Sequence, residues 1–164
     1  MKYILLLVQI LGYKILDYTK PSINKDFNFC PLIDKTIIDN AFLITNDIRF
    51  TINYNFIYKN DETVKLTICN ENSLTGKGHT TTNSKTNKYS IVIDNTLLSY
   101  KYNLYNVLYH EFGHVMGLDH SDKQGIMNYS LITDIHDNII DDTFNIWLSQ
   151  DDINGLKYIS NIVP

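Results

Sequence analysis

The stretch His110-Glu111-Phe112-Gly113-His114-Val115-Met116-Gly117-Leu118-Asp119-His120 decides how this chain is read. Two histidines four residues apart lie on one face of a helix, so both imidazoles can reach a single metal ion. Glu111 projects from the same side, close enough to take a proton from a metal-bound water. Gly117 can adopt the left-handed conformation that ends a helix, and the chain then turns back to bring His120 in as a third ligand. Three protein nitrogens leave one position open for water, which is a catalytic zinc arrangement. By accident alone, His-Glu-x-x-His would arise in about one in fifty chains of this size, and fixing the glycine and third histidine lowers that roughly a few-hundredfold further. Of the histidines at 79, 110, 114, 120 and 136, three fall inside this motif, which disfavours reading them as scattered surface or core residues.

The flanks agree with a buried site. From Leu104, with Asn103 as cap, the period is helical. Leu104, Leu108, Phe112 and Val115 cover one arc, Val107, His110, Glu111 and His114 the next, and Tyr105, Tyr109 and Met116 much of the rest. A helix so apolar all round is buried, and a buried glutamate beside two histidines is costly unless a metal and a water use it. Ser121 to Gly125 then turns the chain into Ile126-Met127-Asn128-Tyr129. Residues 130–148 read as a long loop along one side of a cleft. Its Asp134, Asp137, Asp141 and Asp142 match no ordered calcium-loop spacing, so solvated charge is favoured and Ca2+ stays open. The end is a helix with Ser149 as N-cap, Asp152 at N3, and Ile153, Leu156 and Ile159 on one stripe.

Upstream, Asp34 caps a helix carrying Ile37, Ala41 and Ile44. Residues 48–58 alternate, with Ile48, Phe50, Ile52, Tyr54, Phe56 and Tyr58 on one side, and are expected to form a half-buried strand. Strands follow at Thr63–Cys69, with Val64, Leu66 and Ile68 inward, and at Tyr89–Asp94. Between them lies a polar segment with a short edge strand near His79–Thr82, and His79 itself reads as an exposed histidine. Residues 17–28 read as a polar connection. Cys30 and Cys69 allow one internal disulfide, and Cys30 has a competing reading as a thiolate capping the metal.

At 164 residues and 44 % hydrophobic, the chain fits one domain with a real core. A net charge of −4 gives no reason to expect nucleic acid as a partner. Lys2 followed by a short apolar run has the shape of a secretory signal and is too short to span a bilayer. The expected division is a leader over 1–20 and one catalytic domain over 21–164, secreted and without stable membrane insertion.

Taken together, these residues resemble the metzincin clan of zinc endopeptidases and, within it, the matrixins. The clan pattern His-Glu-x-x-His-x-x-Gly-x-x-His maps onto His110, Glu111, His114, Gly117 and His120, with Met127 in the Met-containing turn that follows. Ser121 is the matrixin choice after the third histidine, and Leu148-Ser149-Gln150-Asp151-Asp152-Ile153 looks like the opening of the matrixin C-terminal helix. The resemblance covers about residues 30–160. It implies an α+β fold: a twisted, mostly parallel sheet with an antiparallel edge strand, an active-site helix, a Met-turn and a C-terminal helix. It also implies one catalytic Zn2+ on His110, His114 and His120, with Glu111 as base and Met127 as an apolar floor. An extended protein or peptide substrate would pair with the edge strand near 77–82, and the enzyme is expected to act as a monomer. Three departures stand out. No Cys-Gly-x-Pro-Asp latency segment occurs, the upstream histidines of a second zinc site are missing apart from His79, and Tyr129 follows Met127 by two, as in astacins and serralysins. That Tyr129 is a candidate oxyanion stabiliser or fifth ligand. The competing functional class is a catalytically silent zinc-binding module or inhibitor on the same fold, and a non-proteolytic zinc hydrolase is a third.

Overall fold

Asp34 opens the first helix, accepting a hydrogen bond from the Thr36 amide at 2.7 Å, which holds its carboxyl below the ordinary carboxylate range. The computed structural model describes residues 24–74, 76–128, 142–143 and 145–162, and in it this helix, α1, runs Lys35–Ile52. Its buried stripe is Ile37, Ala41, Ile44, Thr45 and Ile48. The strand expected from residue 48 is therefore wrong over its first half. Ile48 sits four residues beyond Ile44 and extends the helical stripe, whereas Phe50, half a turn round, is 81 % exposed. The helix stops at Asn53, whose φ of 57° is left-handed, with its amide donating to the Arg49 carbonyl. Of the expected strand only Asn55–Tyr58, β2, forms.

Among the described residues the sheet contains five strands in the order β2-β1-β3-β5-β4. They are β1 (Asn24–Phe29), β2, β3 (Leu66–Glu71), β4 (Gly78–Asn83) and β5 (Lys88–Asp94). β1 pairs parallel with β2 and β3, β3 parallel with β5, and β4 antiparallel with β5 at one edge. This mixed sheet with its helices is the α+β, metzincin-like architecture that the resemblance implies. β3 starts later than expected, leaving Val64 buried in the preceding turn.

β1 is the larger correction, since these residues read as a polar connection. Its inward positions are Phe27, fully buried, and Lys25, only 7 % exposed. The Lys25 ammonium is accommodated by donating to the Val115 carbonyl at 3.2 Å and by lying 3.8 Å from the centroid of the Tyr89 ring. It thus meets the negative end of a helix dipole as well as an aromatic face.

Immediately after β1, Cys30 is disulfide-bonded to Cys69 of β3, across a sequence separation of 39. This bond removes the thiolate reading of Cys30. Replacing both cysteines by alanine is expected to lower folding stability by about 3–4 kcal/mol through the freed loop entropy of the unfolded chain. A urea midpoint equal to that of the parent would refute it.

A 3-10 turn at Asn95–Ser99 leads into α2, Lys101–Val115, which packs against α1 and lies across β4 and β5. α2 begins three residues before the expected start. Asn103 is buried rather than capping, and the Asp142 carboxylate accepts instead from the amides of Tyr102 and Asn103 at 2.9 and 2.8 Å. The core joins Leu104, Leu108 and Phe112 of α2 to Ile37, Ile44 and Ile48 of α1 and to Phe27, Leu66, Ile68, Ile91 and Ile93 of the sheet. The last helix, α3, spans Gln150–Ile162. Its expected capping box forms: the Ser149 amide donates to Asp152 at 2.8 Å, and the Asp152 amide to the Ser149 hydroxyl at 3.1 Å. Among the described residues no helix is long and apolar enough to cross a membrane. The expected leader at 1–20, Tyr129, His136 and most of the acidic loop lie outside the described residues.

Candidate metal centre

α2 places His110 and His114 one turn apart, and Gly117, at φ 102°, ends the helical run so that His120 swings back. The nitrogens that His110, His114 and His120 offer all lie within 4.8 Å of one another. Nitrogens sharing a tetrahedral zinc at about 2.0–2.1 Å would sit about 3.3 Å apart. His110 Nε2 and His120 Nε2 are separated by 3.1 Å, so the donor set fits such an ion.

The far side of two rings fixes which nitrogen is available. His110 Nδ1 lies 2.5 Å from the Ile126 carbonyl, and His114 Nδ1 lies 2.8 Å from the Leu118 carbonyl. A carbonyl can only accept, so each Nδ1 carries the proton and each Nε2 presents a lone pair. Burial, reinforced by the neighbouring His114, lowers the His110 pKa to about 3. Burial also lowers His114. Both imidazoles are therefore neutral at physiological pH, as metal ligands must be.

Glu111 is 4 % exposed, and burial pushes its carboxyl up to about 7 against the opposing pull of the Thr80 hydroxyl. That hydroxyl, on β4, donates to Glu111 Oε2 at 2.6 Å. Met127 is buried, and its sulfur occupies the space that a side chain at Gly113 would need. Gly113 is on the α2 turn between the two histidines, so a glycine there lets the methionine approach from below.

The segment holding Met127 is closed on itself and pinned to α3. The Ser121 amide donates to the Met127 carbonyl at 2.9 Å, and the Ile126 amide donates to Asp152 Oδ2 at 3.2 Å. One carboxylate therefore closes the α3 cap and holds the residue whose carbonyl orients His110. Asp152→Ala is expected to cost about 2–3 kcal/mol of stability by stranding buried amides. It should also weaken zinc about tenfold or more through the displaced Ile126 carbonyl. Zinc affinity equal to that of the parent, measured by competition with a chromophoric chelator, would confine Asp152 to capping.

His79, in β4, joins no metal-ligating cluster among the described residues. The structure brings His110, His114 and His120 together, and sequence reasoning missed Thr80 and the Asp152–Ile126 link. The only sequence signal for Thr80 is the edge-strand alternation that puts Gly78 and Thr80 on one face.

A matrixin family model matches residues 31–160. Among curated relatives, the 72 kDa type IV collagenase of Gallus gallus is 40 % identical over 63 residues, which is 38 % of this chain and 8 % of that protein. Matrix metalloproteinase-18 of Xenopus laevis is 45 % identical over 58 residues, 35 % of this chain and 11 % of the relative. Interstitial collagenase of Equus caballus is 44 % identical over 61 residues, 35 % and 11 %. The matched part thus spans about a tenth of these relatives' lengths. Among solved structures, a chain of the "GM1 bound form of the ECX AB5 holotoxin" superposes with a TM-score of 0.58 at 13 % identity, over 91 % of this chain and 84 % of that one. At that identity the likeness concerns the fold alone.

Proposed function

The chain belongs to the matrixin family, and from that premise we propose that it is a zinc-dependent endopeptidase that cuts extended protein substrates. The observation that carries the reading is the convergence of three histidine nitrogens within 4.8 Å beside a buried glutamate. His110, His114 and His120 would hold the zinc through Nε2 of the first two and a ring nitrogen of the third. When bound, zinc supplies Lewis acidity toward a scissile carbonyl and toward the attacking water. Glu111 takes the proton of that water as its oxygen bonds to the carbonyl carbon. It then hands the proton to the departing amine as the carbon–nitrogen bond breaks.

β4 ends the sheet, so among the described strands its outer edge faces none, and an extended substrate can pair there. Met127 acts as the apolar floor of the centre, and Tyr129, outside the described residues, is assigned to the oxyanion by resemblance. We assign residues 21–164 to one catalytic domain that works as a monomer behind a leader at 1–20. Secretion is the habit of matrixins, and it suits the Cys30–Cys69 bond. The test is cleavage of a quenched peptide library with and without a zinc chelator. Chelator-sensitive cleavage supports the reading, and absence of cleavage by the zinc-loaded protein would leave a silent zinc module.

A further inference from the structure

The face of β4 that turns toward α2 holds Glu111 from two points. At Gly78 the backbone runs so close that an added Cβ would meet Val107 Cγ1 at 2.5 Å and Glu111 Oε1 and Cγ at 3.3 and 3.4 Å. Two residues on, and therefore on the same face, Thr80 donates its hydroxyl to Glu111 Oε2 at 2.6 Å. The same hydroxyl oxygen lies 3.2 Å from the Glu111 carbonyl, but a hydroxyl has one proton and the shorter contact takes it. One carboxylate oxygen is thus engaged by a fixed donor while Oε1 is not bonded by Thr80. A side chain at position 78 would crowd Oε1 and Val107, so the glycine is what lets the strand lie this close to Glu111.

We propose that Thr80 is a positioning residue. Its hydroxyl fixes the rotamer of Glu111 so that Oε1 is the oxygen that exchanges the proton, which makes the strand edge that receives substrate also the element that sets the base. The inference deepens the endopeptidase reading and rests on it. A carboxylate with two equivalent, freely turning oxygens would spend part of its time misdirected, and a displacement of that kind lowers turnover without touching ground-state binding. The Thr80 side chain is spent on Glu111, and substrate pairing along β4 would use main-chain groups.

The experiment uses the full chain and two kinds of measurement. In the zinc-loaded enzyme, Thr80→Val, which keeps the shape and removes the hydroxyl, is expected to lower kcat by about 10–100-fold with KM held within about twofold. Thr80→Ser is expected to restore most of that loss. In the zinc-free chain, Thr80→Val should lower the melting midpoint by about 3–6 °C, because a buried carboxylate loses its donor. The same change made on Glu111→Leu should produce almost no shift. An unchanged kcat in Thr80→Val overturns the proposal. So does a serine variant as impaired as the valine one, or midpoint shifts that simply add. If the wild-type chain cleaves no peptide at all, the endopeptidase reading falls, and the thermal cycle still decides whether Thr80 and Glu111 are coupled.

Discussion

Glu111→Ala is expected to keep one equivalent of zinc and to lose peptide cleavage by about 10²–10⁴-fold, the usual worth of a positioned acid–base group. In the proposed mechanism, holding the metal and moving the proton are separate duties. Glu111 contributes no nitrogen to the triad, and the supports of the ligands lie elsewhere: the Ile126 carbonyl behind His110 and the Leu118 carbonyl behind His114. Removing the carboxylate should leave those supports standing. Stability should change modestly, since the lost contact to Thr80 is offset by relief from holding a largely buried carboxyl near 7. Glu111→Gln, nearly isosteric, should be as inactive, because it keeps the shape and loses the ability to accept a proton. Zinc content by atomic absorption and turnover of a quenched peptide are read on the same sample. Cleavage at the parental rate by either variant would end the mechanism, whatever the zinc content.

His110→Ala should abolish both metal and activity. His110 is the most buried member of the triad, and its ring is fixed on both sides, by Ile126 behind and by the other two imidazoles in front. Losing a hydrogen-bond partner behind a ligand typically costs about 10–100-fold in metal affinity, and losing the ligand itself costs more. A second signature follows from linkage. Metal that binds only the folded chain stabilises it by about 4 kcal/mol at a thousandfold excess over Kd. A chelator should therefore lower the melting temperature of the parent and leave that of His110→Ala unmoved. A variant that still responds to chelator by the parental amount would place the ion elsewhere.

How much of the fold and the site is readable from sequence depends on how far apart the deciding groups lie along the chain. The triad is legible because helix periodicity and one glycine turn relate His110, His114 and His120 within eleven residues. The capping box at Ser149 and Asp152 is legible for the same local reason. β1 is not, because its inward lysine is acceptable only beside the Val115 carbonyl, 90 residues away. Residues 48–52 satisfy two periods at once. Only the tertiary packing of Ile48 with the α1 stripe, and the left-handed Asn53, decide for helix. At Thr80-Thr81-Thr82 three identical side chains succeed one another, and nothing local tells which of them meets the glutamate. Both readings of Cys30 are open in the sequence, and the pairing of β1 with β3 brings Cys69 to it.

The hairpin joining β4 to β5 carries a consequence for how such a chain can vary. Thr80 stands opposite Ile91, and Gly78 opposite Ile93. Side chains alternate between the two faces of a strand, so sliding β4 by one residue along β5 would turn Thr80 outward and present Thr81 or His79 to the glutamate instead. The turn at residues 84–87 therefore works as a ruler. Substitutions at residues 84–86 are cheap, since they are exposed, whereas Asn87 holds a left-handed φ of 54°. A change in the turn's length is harmless only where the Thr80–Ile91 pairing survives. In descendants of this sequence, insertions should gather away from that turn.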